Sequence, residues 1–181
     1  MKPRLLLRSV ISVLALPVMV AGVIPGWLVA TRDVAIGWGL PTPLNLVVAG
    51  TGLALIVVGL WFAAGTIRMF STVGEGTLAP WDPPRRLVAK GVYRYVRNPM
   101  ISGLLGILAG EAIFFGSTAI FEWFAFAAIL NAIYIPLSEE PVLLGRFGPD
   151  YQTYKMHVPR WIPRLTPWEP SAETSQEPST Q

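Results

Sequence analysis

The sequence predicts an all-α integral membrane protein with about four transmembrane helices, a C-terminal helical hairpin and a cytoplasmic amphipathic C-terminal segment. Three observations predict it. Of 181 residues, 52% are hydrophobic and only 14% charged, with a mean hydropathy of +0.51; a soluble domain carries about 25% charged residues. The missing charge is concentrated in long uncharged runs, which is the membrane signature. The basic residues recur in short segments beside those runs, a placement that sets topology rather than nucleic-acid binding.

The first span is expected from about Leu5 to Ala30, kinked by Pro17 and Pro25. Lys2, Arg4 and Arg8 precede it as a signal peptide's basic region would. The apolar run continues past Ala21 without a small-x-small cleavage site, so an uncleaved helix is the better reading. The second span covers about Leu44 to Ile67 and has no charge. The third starts at Pro99 and reaches about Phe115; the fourth runs from near Thr118 to near Leu137. Gly116-Ser117 alone joins these two, which makes them antiparallel neighbours.

Basic residues mark the N-terminus, the segment between spans two and three (Arg68, Arg85, Arg86, Lys90, Arg94, Arg97) and the segment after span four (Arg146, Lys155, Arg160, Arg164). The loop after span one carries only Arg32, beside Asp33, and the turn after span three carries none. Both termini cytoplasmic satisfies the positive-inside rule at every loop. A multi-pass protein of the plasma or inner membrane follows. One domain, residues 1–168, precedes a polar tail, 169–181, whose composition reads as disordered. In the loop from Arg68 to Asn98, Gly74, Gly76, Pro80, Pro83 and Pro84 predict irregular chain at the interface, with Trp81 and Tyr93 as aromatic anchors.

With no cysteine, disulfides, thiolate metal sites and cysteine nucleophiles are excluded, and a single histidine, His157, argues against a histidine metal site. The remaining chemistry gathers at two places. Asn98-Pro99 is a helix start, with Asn a favoured N-cap and Pro favoured at the first helical position. Beside Arg97, its free amides form a site for a carboxylate or phosphate; the plainer reading is a capped helix with a basic flank. Gly103 and Gly106 admit either a ligand's approach or close helix packing. Glu139 and Glu140 end the fourth span, where two acids oppose the helix dipole. They receive either a cation or sugar hydroxyls, or only water. Glu111 and Glu122 lie within or near spans, where carboxylates are expensive; Glu122 is close enough to the outer turn to reach water. Phe147, Tyr151 and Tyr154 share one helical face, either of a helix lying on the membrane or of an aromatic lid. His157 reads as an exposed or satisfied residue. After it, Pro159 and Pro163 force an extended chain from which Arg160 can fold back on the acids or on a ligand, or else anchor at the interface.

Together these residues resemble the isoprenylcysteine carboxyl methyltransferase and phospholipid N-methyltransferase superfamily of integral membrane methyltransferases. The family pattern is Arg-His-Pro-x-Tyr-x-Gly, then a hairpin, then Glu-Glu, Phe-Gly, two tyrosines and Val-Pro-Arg. The second half is complete here: Glu139, Glu140, Phe147, Gly148, Tyr151, Tyr154, Val158, Pro159 and Arg160. In the first half Arg97, Pro99 and Gly103 are kept, but Asn98 replaces His and Ile101 replaces Tyr. Asn can cap and hydrogen-bond; it cannot act as a base or carry charge. The match covers residues 91–165.

The resemblance implies S-adenosylmethionine as methyl donor, bound where the hairpin meets the cytoplasm, and a lipid or small hydrophobic acceptor. It implies a donor site of Tyr95, Arg97, Asn98, Pro99, Gly103, Glu139, Glu140, Tyr151 and Arg160. Arg97 and the helix N-terminus suit the donor's carboxylate, Glu139 and Glu140 its ammonium or ribose, and the faces of Tyr95 and Tyr151 its sulfonium. A general base is needed only for an acceptor that arrives protonated; Glu111 and Glu140 are the candidates. The competing readings are a membrane scaffold, or a degenerate member that binds without turnover, and a nicotinamide-dependent sterol-type reductase, for which the chain is short.

Overall fold

The structure, a computed structural model, describes residues 15–73, 87 and 89–169. The N-terminal basic cluster and the start of the first span lie outside the described residues. So do the loop prolines, Trp81, Arg85 and Arg86, and the tail from 170 onward.

Every regular element among the described residues is helical. The first span continues through a π-helical turn, Met19–Val23, into α1 (Ile24–Thr31). Pro25 has no amide to give to an i−4 carbonyl, and the wider turn just before it accommodates that loss. A short 3-10 turn, Ile36–Gly39, leads to α2 (Leu44–Val73), 30 residues long. α2 therefore outruns the expected second span. After the 3-10 turn Gly91–Arg94 comes α3 (Pro99–Phe115), then α4 (Thr118–Tyr134). Their joint is as expected: Gly116 closes α3 in the left-handed conformation at φ 56°, and Ser117 begins α4, its side chain accepting from the Ile120 amide.

Three helical stretches are long and apolar enough to cross a membrane: Ala15–Gly39, Leu44–Met69 and the helix beginning at Thr118. α3 is apolar but shorter, at 17 residues, about 25 Å at 1.5 Å per residue. It is held against α2 by glycines rather than by large side chains. A Cβ on Gly103 would sit 2.7 Å from the Gly59 carbonyl oxygen, and one on Gly110 2.6 Å from that of Gly52. Contacts that pair 52 with 110 and 59 with 103 run in opposite directions, so α2 and α3 are antiparallel with their backbones nearly touching. α1 closes the far end, where Leu28, Ala112 and Ile120 form a buried cluster and the Trp123 indole donates to the Val20 carbonyl at 2.9 Å.

The apolar run of the fourth span stops near Leu137 as expected, but the helix does not end there, and this corrects the reading of Glu139 and Glu140 as a helix C-terminus. α4 passes through a π-helical turn, Ile135–Glu139, directly into α5 (Glu140–His157). Pro136 and Pro141 sit at the starts of these two segments, where a missing amide is tolerated. Glu139 and Glu140 thus lie at the beginning of a new helical segment, and the opposition to a helix dipole disappears. The continuous helix, Thr118–His157, has 40 residues, about 60 Å, twice the thickness of a bilayer core. Its apolar part ends before Ser138, and α5 projects beyond the membrane-spanning stretch. α5 itself bends at Gly148 (φ 53°, ψ −131°), before Pro149, so Phe147 and the two tyrosines do not share one uninterrupted helical face.

Candidate functional site

The site forms where the chain entering α3 meets α5 and the segment that follows it. Glu140 is its centre. It is 4% exposed and takes three cations: Arg97 Nη1 at 2.9 Å and Arg160 Nε at 2.7 Å on Oε1, and Lys155 Nζ at 2.6 Å on Oε2. Burial alone would raise the Glu140 pKa. The hydrogen bonds from Arg160 and Lys155, with the charges of Arg97 and Arg160, outweigh it and lower the pKa to about 2.

Arg97 is equally committed. Its side chain is 8% exposed. Besides Glu140, Nε donates to the Val158 carbonyl at 2.8 Å, and its amide donates to the Pro159 carbonyl at 2.9 Å. The extended chain forced by Pro159 brings Arg160 back onto the acid, the first of its three expected placements, and it also brings up the carbonyls that fix Arg97.

Tyr151 and Tyr154 are 3% exposed and pack with Val158 and Trp168, with Leu143 and Phe147 against them. They form a small core rather than an open aromatic surface. The Tyr154 hydroxyl donates to the Tyr93 carbonyl at 2.7 Å. Tyr93 is partly buried, and its phenol is pushed above the ordinary value, first by burial and second by the charge of Glu139. Glu139, the neighbour of Glu140, is exposed. His157 is exposed, donates Nδ1–H to the Thr153 carbonyl at 2.8 Å and stacks on Trp168, which is the satisfied histidine the sequence suggested.

Asn98 is the N-cap residue and Pro99 the first of α3, yet the Asn98 side chain makes no capping hydrogen bond. This corrects the expected capping role. The amides of Met100 and Ile101, in the first turn, have no intrahelical acceptor. Tyr95 lies at the same end, its carbonyl accepting from the Arg164 amide at 2.9 Å. Gly103 faces α2, so its missing side chain is used in helix packing. Glu111 is twelve residues along α3 from Pro99, about 18 Å; its Oε2 is buried without a partner among the described residues. It does not join the cluster.

Sequence reasoning missed three contributors. In the sequence Lys155 reads only as a topological charge, although it follows Tyr151 by one helical turn. Trp168 reads as the edge of the tail, yet it is 8% exposed and its amide donates to the Arg94 carbonyl at 2.9 Å. Ser102 donates Oγ–H to the Trp161 carbonyl at 2.9 Å, a contact with no local sequence signal.

The family model for phospholipid methyltransferase matches residues 47–150, more than half of the chain. The match reaches back through most of α2, takes in Arg97-Asn98-Pro99 and Glu139-Glu140, and stops before Tyr151 and Arg160. No curated protein and no solved structure matches the chain. Apolar helices of spanning length and this match together make the chain a member of the phospholipid methyltransferase family, and membrane methyl transfer is the activity that membership implies.

Proposed function

We infer that this protein binds S-adenosylmethionine beside the start of α3 and transfers its methyl group to a lipid or small hydrophobic acceptor at the cytoplasmic face. The observation that carries the reading is the convergence of Arg97, Glu140 and Arg160, with exposed Glu139 next to Glu140 in the chain, beside a helix N-terminus whose N-cap side chain makes no capping bond. These groups fit the donor's own chemistry. The first-turn amides, Asn98 and the rest of the Arg160 guanidinium suit its carboxylate. Exposed Glu139 suits its ammonium, and the face of Tyr95 its sulfonium.

The residues divide into two roles. Arg97 and Glu140 form the frame, because their polar atoms already hold each other, and Tyr151 is packed in the core with Tyr154 and Val158. Asn98, Glu139, Arg160 and Tyr95 are the ones assigned to the ligand; Pro99 sets the helix start and Gly103 the helix packing. The cofactor supplies an already activated methyl, so the protein has mainly to align the two reactants and exclude water. Bilayer-facing sides of the helices give a lipid acceptor lateral access. The basic surplus at this end supports the cytoplasmic placement in a plasma or inner membrane.

A member that binds the donor without turnover is the second reading, favoured by Asn98 and Ile101 at the two departures from the superfamily pattern. No observation supports the reductase reading, and the family match points to methyl transfer instead. Calorimetric titration of S-adenosylmethionine and its demethylated product into detergent-purified protein tests the site, with Glu139→Ala alongside. Micromolar binding that is weakened in the variant supports it, and labelled-methyl transfer to membrane lipids then separates enzyme from binder. No binding of either compound to folded protein sinks the proposal.

A further inference from the structure

Residues Val158–Glu169 form no regular element and run as a strap across the chain that enters α3. They are tied along its length: the Arg97 amide donates to Pro159, the Arg164 amide to Tyr95 and the Trp168 amide to Arg94, each at 2.9 Å. The tie from Ser102 to the Trp161 carbonyl sets the strap's depth. Ser102 lies in the first turn of an apolar helix, so Trp161 sits at the level where that helix enters the bilayer, which is where Trp is favoured. The next apolar side chains, Ile162 and Leu165, point away from the protein and are 79% and 101% exposed. Segments 89–98 and 139–169, which build this end, carry seven Lys or Arg against four Asp or Glu. At the opposite end, the loop 32–43 carries one of each.

We propose that the strap docks on an anionic lipid leaflet, with Ile162 and Leu165 entering the headgroup boundary, and that this docking holds the donor site in its binding form. Apolar side chains at interface depth beside a basic surplus fit acidic lipid; a soluble partner would have to reach them at the membrane boundary. The coupling is built into the chain. The carbonyls of Val158 and Pro159 that restrain Arg97 belong to the strap, as does Arg160 on Glu140. A strap held on the leaflet keeps this frame assembled, and a released strap loosens it. The coupling rests on the donor-binding reading above, whereas the docking does not.

The chain has no cysteine, so Ile162→Cys carries a single environment-sensitive fluorophore. The full chain is placed in nanodiscs of phosphatidylcholine alone or of phosphatidylcholine mixed with phosphatidylglycerol. The expected result is blue-shifted emission in the anionic discs, reversed by salt, with unlabelled protein binding S-adenosylmethionine several-fold more tightly there. The Ile162→Ser/Leu165→Ser variant, altered only at exposed side chains, should bind with the same weaker affinity in both discs. Emission unshifted from water in both discs overturns the docking and leaves the strap to a soluble partner, and an equal blue shift in both overturns the need for anionic lipid. A shift with equal affinities overturns the coupling. A shift with no donor binding in either disc supports the docking while sinking the donor site itself.

Discussion

Arg97 and Glu140, 43 residues apart in sequence, form a buried ion pair of 2.9 Å that joins the entrance of α3 to the start of α5. The same guanidinium holds the Val158 carbonyl at 2.8 Å, so one side chain ties together three segments that meet only after the hairpin has formed. Removing one partner of a buried pair leaves the other charge uncompensated, which costs about 3–5 kcal/mol. The pair is therefore framework, and its loss and the loss of a ligand contact have to be read separately.

Arg97→Lys tests the framework. A lysine keeps the charge but cannot reach an acid and a carbonyl with one planar fork. A loss of about 2 kcal/mol is expected, seen as a lower melting temperature in detergent. An unchanged melting temperature would mean that the fork geometry is dispensable.

Glu140 predicts a specific acid response. Its folded pKa, about 2, lies below the ordinary 4.5, so its stabilising contribution is complete above 4.5 and is lost as pH falls through about 2. Glu140→Gln has no such charge to lose. The stability gap between wild type and this variant should be constant above pH 4.5 and narrow steadily below it. A gap independent of pH in acid would contradict the three-cation geometry.

The helix contact makes a prediction with its own control. Gly103→Ala places a methyl 2.7 Å from the Gly59 carbonyl oxygen, so the backbones have to part; overpacking of this kind costs about 1–3 kcal/mol. At Gly106 the nearest atom is 3.6 Å away, and Gly106→Ala should change stability by less than about 0.5 kcal/mol. Equal effects at the two positions in thermal melts would rule out the close α2–α3 approach.

Asn98 separates capping from ligand binding. An N-cap Asn that caps costs about 1 kcal/mol when replaced by Ala. Here no capping bond exists, so Asn98→Ala should leave the melting temperature unchanged while weakening donor affinity. A drop in melting temperature without a change in affinity would return Asn98 to the role of a plain cap.

Much of this architecture was legible in the chain itself. Uncharged runs identified the apolar helices, and Gly116-Ser117 marked the hairpin joint, because bilayer length and turn chemistry act locally. The fold-back of Arg160 was also readable, since proline restricts the chain wherever it stands. Other features depended on distant groups. Leu137 looked like a helix end, since the apolar run stops there, yet the backbone continues through a π-helical turn that hydropathy does not register. Tyr151 and Tyr154 looked like a surface because four-three spacing describes a face but not what covers it; Trp168 and the strap cover it. Glu139 and Glu140 are adjacent and chemically identical in sequence. Only the tertiary structure distinguishes them, by surrounding one with three cations and leaving the other exposed. Local covalent geometry and hydropathy determine where helices run, whereas the role of a charge is decided by which opposite charges the folded chain brings within hydrogen-bonding reach.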